Sequence, residues 1–440
     1  MSEESGVRRQ KSGVKKTSAL WLLPSVLLFL CTAPSVHADK MLIFMDQEQT
    51  DHLKAYGVAY HAIEKGLMVE WLLNYRGGSF LLDVNRELTE YALVRGVAYT
   101  VLGSPELASL DETIGNSNMS KELLEKAPKV AVYTPANKQP WDDAVTLALA
   151  YAEIPYETLW DPEVLSGKLK EYDWLHLHHE DFTGQYGKFY GSFRNAQWYI
   201  QQQKEYENMA QSLGFSKVSE EKKAVAEVIR LYVIDGGFLF AMCSATDTID
   251  IALSARGVDI AAAEFDGDPY ESDFQSKLDY SRTFAFENYH LIPDPMIYEF
   301  SDIDIDVDQT LSTRDVPAPM DYFELFEFSA KYDPVPTMLT QDHENPIKGF
   351  MGQTTEFKEH LIKKNVVIMG ENKSRGTAKY IHSNLGEGTF TFLGGHDPED
   401  YFHLVNDPPT QLFLHKNSAG YRLILNNVLF PGAKKKELKT

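Results

Sequence analysis

Cysteine is nearly missing: the 440 residues hold two, Cys31 and Cys243. A disulfide framework is therefore excluded as the source of stability, and the fold must rest on apolar burial. Positive charge is scarce as well, with 42 Lys and Arg against 64 Asp and Glu. A surface of that sign repels phosphate backbones and anionic headgroups, which argues against nucleic acid or a membrane surface as partner. Proline and glycine are modest at 20 and 28 residues while 43% of the chain is hydrophobic, so low-complexity disorder is excluded in favour of ordered globular structure.

Long hydrophobic runs are missing too. Ala19 to Cys31 is apolar, but its roughly 13 residues fall short of the roughly 20 a bilayer span needs. Before it stand Arg8, Arg9, Lys11, Lys15 and Lys16, and after it Val36-His37-Ala38. A basic segment, a short apolar core and small residues at −3 and −1 form a secretory leader. The expectation is cleavage after Ala38 and a soluble body, periplasmic or secreted. That body keeps 37 basic and 62 acidic residues, a net charge near −25. Its single remaining thiol, Cys243, is either a small buried hydrophobe or a nucleophile.

From residue 39 onward, short β-rich apolar runs alternate with amphipathic stretches, the pattern of an α/β fold with a mostly parallel sheet covered by helices. Residues 39–125 read as an N-terminal α/β unit with strands near 41–46, 68–75 and 97–103, helices at 51–65 and 86–95, and a polar linker at 104–126. The alternation restarts at 129–135 and runs through strands at 156–160, 173–179 and 238–243. Helices are expected at 141–152, 193–213, 219–234 and 247–256. It breaks at 265–345, an insertion rich in Asp, Pro and aromatics, and returns with strands at 366–372 and 389–396 and a closing helix at 420–430. The main domain is thus 126–264 with 346–432, and 433–440 is a solvated basic tail.

Two stretches carry chemistry. In Asp235-Gly236-Gly237-Phe238-Leu239-Phe240-Ala241-Met242-Cys243-Ser244-Ala245, a buried strand ends at a cysteine flanked by small residues where a helix begins. A nucleophile elbow needs this arrangement, because the tight turn admits only small neighbours and the helix N-terminus favours a thiolate. In Thr389-Phe390-Thr391-Phe392-Leu393-Gly394-Gly395-His396-Asp397-Pro398-Glu399, a strand ends at a double glycine that presents a histidine with carboxylates close behind. A base at a strand's carboxyl end, oriented by a carboxylate, is what a cysteine nucleophile requires.

These motifs resemble class I glutamine amidotransferase-like domains, which carry a nucleophile elbow and a late His-Pro-Glu-type sequence. Asn426-Asn427 in the closing helix resembles the trehalose-utilisation (ThuA-like) branch. The resemblance covers about 126–264 and 346–431 and implies a flavodoxin-like sheet. It also implies Cys243 as nucleophile, His396 as base, Glu399 or Asp397 as its orienting acid, and the Ser244 N–H in an oxyanion hole. Here alanines replace the usual glycines beside the cysteine, and one extra residue separates His396 from Glu399. The whole chain also resembles an exported bacterial group often labelled asparagine synthetase B. The residues do not support that activity, since Ser2 stands where an N-terminal cysteine is needed and no SGGxDS-type loop occurs.

Other clusters are weaker. His176, His178, His179, Glu180 and Asp181 crowd one strand end. Alternation would put His176 and His178 on one face and His179 on the other. Without a second, separated ligand pair, polar lining of the crevice is preferred to a metal site, and no metal or cofactor is expected. Asp302, Asp304, Asp306 and Asp308 alternate with apolar residues and read as a solvated strand face. Tyr186 and Arg194, in an aromatic segment at 181–200, are expected to help His178, His179 and Glu180 bind substrate, a small molecule, peptide or sugar. The function expected is a secreted Cys-dependent hydrolase or amidase; a non-catalytic ligand-binding protein on the same fold is the alternative.

Overall fold

Burial on both faces begins at once. In the computed structural model, strand β1 (Lys40–Ile43) buries Met41, Leu42 and Ile43 and starts a five-stranded sheet. Residues 39–136, 142–304, 322–401, 405–406 and 408–434 are described. The expected leader at 1–38, Asp306 and Asp308, and the tail from 435 lie outside the described residues.

The first sheet is completed by β2 (Val69–Leu73), β3 (Ser79–Asp83), β4 (Thr100–Leu102) and β5 (Ser120–Leu124), in the order β4-β1-β3-β2-β5. Every pairing in it is antiparallel, which corrects the expectation of a parallel α/β unit. The Arg76-Gly77-Gly78 turn closes a β2–β3 hairpin, with Asn74, Arg76, Gly77 and Gly78 all at positive φ. The expected linker at 104–126 instead holds a helix, Ser104–Asn116, started by Pro105, and then β5. That helix buries only Leu107, Leu110 and Ile114, a stripe too narrow to stand out among its polar residues.

The second sheet is large and mixed. It contains β6 (Val130–Tyr133), β7 (Tyr156–Leu159), β8 (Trp174–Leu177), β9 (Phe238–Met242), β10 (Tyr322–Leu325), β11 (Ile347–Lys348), β12 (Phe357–Lys358), β13 (Val367–Asn372), β14 (Thr377–Leu385) and β15 (Gly388–Leu393). Five strands run parallel in the order β7-β6-β8-β9-β15. From β15 outward the sheet turns antiparallel through β14, β13, β10 and β11, with β12 also paired to β14. The sheet is therefore not mostly parallel. Strand β14 hides in the sequence because TAKYIHSNL is buried on both faces for seven residues, Lys379 included, and shows no alternation.

One core joins the two sheets. Helices His52–Glu64, Ala144–Ala152 and Ala419–Leu429 share it with Met41, Trp71 and Phe80 of the first sheet and Trp174, Phe238 and Phe240 of the second. Gly57 allows the first two helices to touch, since a side chain there would run into the Ala152 carbonyl. The other face of the second sheet is covered by helices Val218–Ile234 and Ala245–Ser254. In the region expected as an irregular insertion, Asp304 is buried and accepts from Thr355 N–H at 3.0 Å and Glu356 N–H at 3.2 Å, so it is no solvated face.

Candidate functional site

The carboxyl ends of β8, β9 and β15 are clipped together by backbone bonds. Cys243 N–H donates to the Gly395 carbonyl at 3.1 Å, and Ala245 N–H donates to the His178 carbonyl at 3.0 Å. Cys243 follows β9 directly, at φ +49°, and helix Ala245–Ser254 begins two residues later. A non-glycine residue in the left-handed region is strained, and such strain gathers at functional turns. Small neighbours at 241, 244 and 245 make room for it.

His396 is brought to the same point by Gly394 and Gly395. A strap at 351–355 crosses this pair closely, with His396 N–H donating to the Met351 carbonyl at 2.7 Å and Gly395 N–H to Thr354 at 2.8 Å. Side chains on either glycine would strike Thr355 or Phe350. The strap also reaches the thiol: Gln353 N–H donates to Cys243 Sγ at 3.2 Å, a contact that stabilises a thiolate.

Asp142 Oδ1 lies 3.5 Å from His396 Nε2. Burial and the neighbouring His178 oppose protonation of His396, but hydrogen bonds with Asp142 and with the Cys243 thiol outweigh them and raise its pKa. Burial works against ionisation of Asp142, and His396 overcomes it, holding the carboxyl below its ordinary range. Glu399, expected as orienter, turns away: it accepts from Tyr401 Oη at 3.0 Å and pairs with His415 at 2.9 Å. Asp397 accepts from Tyr421 Oη at 2.7 Å and from Glu399 N–H at 2.8 Å, so it anchors the loop after His396.

The histidine cluster lies beside this pair. Strand β8 stops at Leu177, so the alternation expected for His178 and His179 does not apply, and both approach His396. Ring centroids are 4.5 Å apart for His178 and His396, 4.8 Å for His178 and His179, and 5.7 Å for His179 and His396. Asp143, the N-cap of helix Ala144–Ala152, lies 3.3 Å from His176 Nε2 and 3.4 Å from His178 Nδ1. Burial would raise its pKa; the two imidazoles hold it well below the usual carboxylate range.

Glu180 accepts from His178 N–H at 2.7 Å, and burial pushes its carboxyl up to about 8. Through that bond Glu180 braces the turn. Tyr186 shares a small cavity of about 20 Å³ with His179 and Glu180. Arg194 is exposed and donates to the Gly191 carbonyl at 2.7 Å, outside that cavity's lining. Ser244 is buried directly after the cysteine. A much larger cavity, about 1260 Å³, opens at the opposite, amino ends of the strands, lined by Asp173, Phe238, Gly388 and Tyr332 among others.

The sequence reading missed Asp142, Asp143 and Gln353. The two aspartates open a helix after β6, a position that signalled only an N-cap.

No protein-family model matches the chain, and no curated protein matches it. Two solved cytoplasmic proteins of Salmonella typhimurium are similar at 9% and 12% identity, with TM-scores of 0.33 and 0.35; each alignment covers 70% of this chain and 100% of the other. The exo-β-1,4-mannosidase Op5Man5 from Opitutaceae bacterium strain TAV5 is similar at 12% identity over 61% of this chain and 31% of its own, with a TM-score of 0.25. Likeness of that degree carries no argument about function.

Proposed function

We propose that the chain is a Cys-dependent hydrolase or amidase of the glutamine amidotransferase-like kind, acting on a small-molecule, peptide or sugar substrate. The observation that carries this reading is Cys243 at φ +49° on a strand-to-helix turn, its backbone N–H tied to the Gly395 carbonyl so that His396 follows at the same point. His396 takes the thiol proton as Sγ attacks the substrate carbonyl, then returns it to the leaving amine; water hydrolyses the thioester. Asp142 orients the imidazolium and offsets its charge, while the Ser244 N–H at the start of helix Ala245–Ser254 faces the oxyanion. The order β7-β6-β8-β9-β15, all parallel, supports a flavodoxin-like half-sheet with its site at the carboxyl ends. The leader motif supports action outside the cytoplasm, and mass spectrometry of the exported protein should find Asp39 as its N-terminus.

Alkylation tests the chemistry. Iodoacetamide should modify Cys243 quickly at neutral pH in the folded protein, and His396→Ala should slow it. A rate indifferent to His396 would overturn the reading.

A second reading, a non-catalytic ligand-binding protein, is favoured by the burial of Cys243, 1% exposed. It expects a thiol unreactive until unfolding, and a Cys243→Ser change that costs about 1–3 kcal/mol by burying a hydroxyl.

A further inference from the structure

Three imidazoles meet where the thiol chemistry needs one. A ring nitrogen from each of His178, His179 and His396 lies within 4.8 Å of the other two. From these residues we infer a site for a borderline divalent transition-metal ion, of the Zn²⁺ or Co²⁺ class, held by His178, His179 and His396 with a fourth position open.

The lone His178-His179 pair lacked a separated ligand in the sequence; the fold supplies it from β15. His178 gives a second, independent sign. The residue is fully buried, its Nδ1 faces Asp143 Oδ1 at 3.4 Å, and its Nε2 has no hydrogen-bond partner among the described residues. A carboxylate on one ring nitrogen fixes the tautomer that leaves the other nitrogen's lone pair for a metal, the usual support of a metal-bound histidine. Asp142 stands in the same relation to His396. A buried imidazole nitrogen left unsatisfied costs free energy that coordination would recover.

Charge and ligand type agree. Asp142 and Asp143 place two carboxylates behind the neutral ligands, offsetting a 2+ ion, and nitrogen donors favour zinc or cobalt over calcium or magnesium. The scaffold is preorganised, since the His178 carbonyl and the Gly395 carbonyl are tied to Ala245 and Cys243. Drawing three nitrogens to about 2.0–2.1 Å from one ion requires them to close in by small side-chain rotations. The site is independent of the hydrolase reading, although both use His396, so a bound ion should hold that histidine away from the thiol.

The test uses full-length protein stripped by a chelator and titrated with Zn²⁺ by calorimetry. One equivalent should bind, with affinity reduced at least about a hundredfold in His178→Asn and in His179→Ala, and unchanged in Cys243→Ala. X-ray absorption at the zinc edge of the wild-type protein should show an imidazole shell without sulfur, a readout that needs no variant. Absence of binding, affinity indifferent to both histidines, or a sulfur ligand would overturn the assignment. Alkylation of Cys243 in the metal-free protein reports on the nucleophile separately, so either idea can fail alone.

Discussion

Asp142 Oδ1 faces His396 Nε2 at 3.5 Å, and the acid three residues beyond His396, Glu399, is engaged instead with His415 and Tyr401. The consequence is an order of variants opposite to that implied by the motif. Asp142→Asn removes the charge that favours the imidazolium. Losing about one pKa unit of that interaction corresponds to about 1.4 kcal/mol, or roughly tenfold. Alkylation of Cys243 at pH 7 should fall by about that factor in Asp142→Asn, and its pH midpoint should rise. Glu399→Gln should leave both unchanged; the reverse ranking would restore Glu399 as the orienting acid.

The backbone at Cys243 gives a stability test that needs no substrate. At φ +49° an alanine keeps the strain of a Cβ in the left-handed region and a glycine releases it. Both substitutions remove the sulfur; glycine also gives up the buried Cβ, a smaller loss than the left-handed strain it relieves. Urea unfolding should show Cys243→Gly more stable than Cys243→Ala by about 1 kcal/mol. Equal stability, or alanine ahead, would mean the turn is relaxed.

Gly394 tests how the strap at 351–355 holds His396. A methyl group there would collide with the Thr355 carbonyl, which is backbone and cannot swing aside. Gly394→Ala should cost about 1–3 kcal/mol by overpacking, and alkylation of Cys243 should slow because His396 is displaced. Gly376→Ala is the control for a glycine at positive φ that has open space around it, φ +66°. It should destabilise without changing thiol reactivity.

Local chemistry was legible in the sequence, and pairing across the fold was not. The turn at Cys243 and the glycines before His396 could be read because strand, small residues and helix start are neighbours in the chain. Asp142 could not, because its partner follows the end of β15 and only the β6–β8–β9–β15 arrangement brings them together. Likewise His179 was assigned to the wrong face because the strand was taken two residues too far, past Leu177. The first sheet was expected to be parallel because β3 follows its hairpin turn so closely that β2 and β3 looked like one strand and a loop.

His382 makes the stability of the second sheet sensitive to acid. It is 1% exposed on β14, with Nδ1 2.7 Å from Thr391 Oγ1 and with Phe238 and Phe430 rings about it. Burial lowers its pKa to about 3. An unfolded chain protonates this residue near 6.5. Between the two values the unfolded state binds a proton that the folded state refuses, so stability falls as pH drops below about 6.5, by up to about 1.4 kcal/mol per unit, and levels off only near 3. Other groups titrate in this range, with burial pushing Asp250 up to about 6 and Asp247 up to about 7, and these act in the opposite direction. Comparison with His382→Gln cancels them. The variant loses packing and is less stable at pH 7, but it has nothing to protonate at 382. From pH 7 to pH 4.5 the wild type should therefore lose about 2–3 kcal/mol relative to the variant, as read by urea unfolding at each pH. A gap that stays constant over that range would show that His382 takes up its proton as readily in the folded protein as in the unfolded chain.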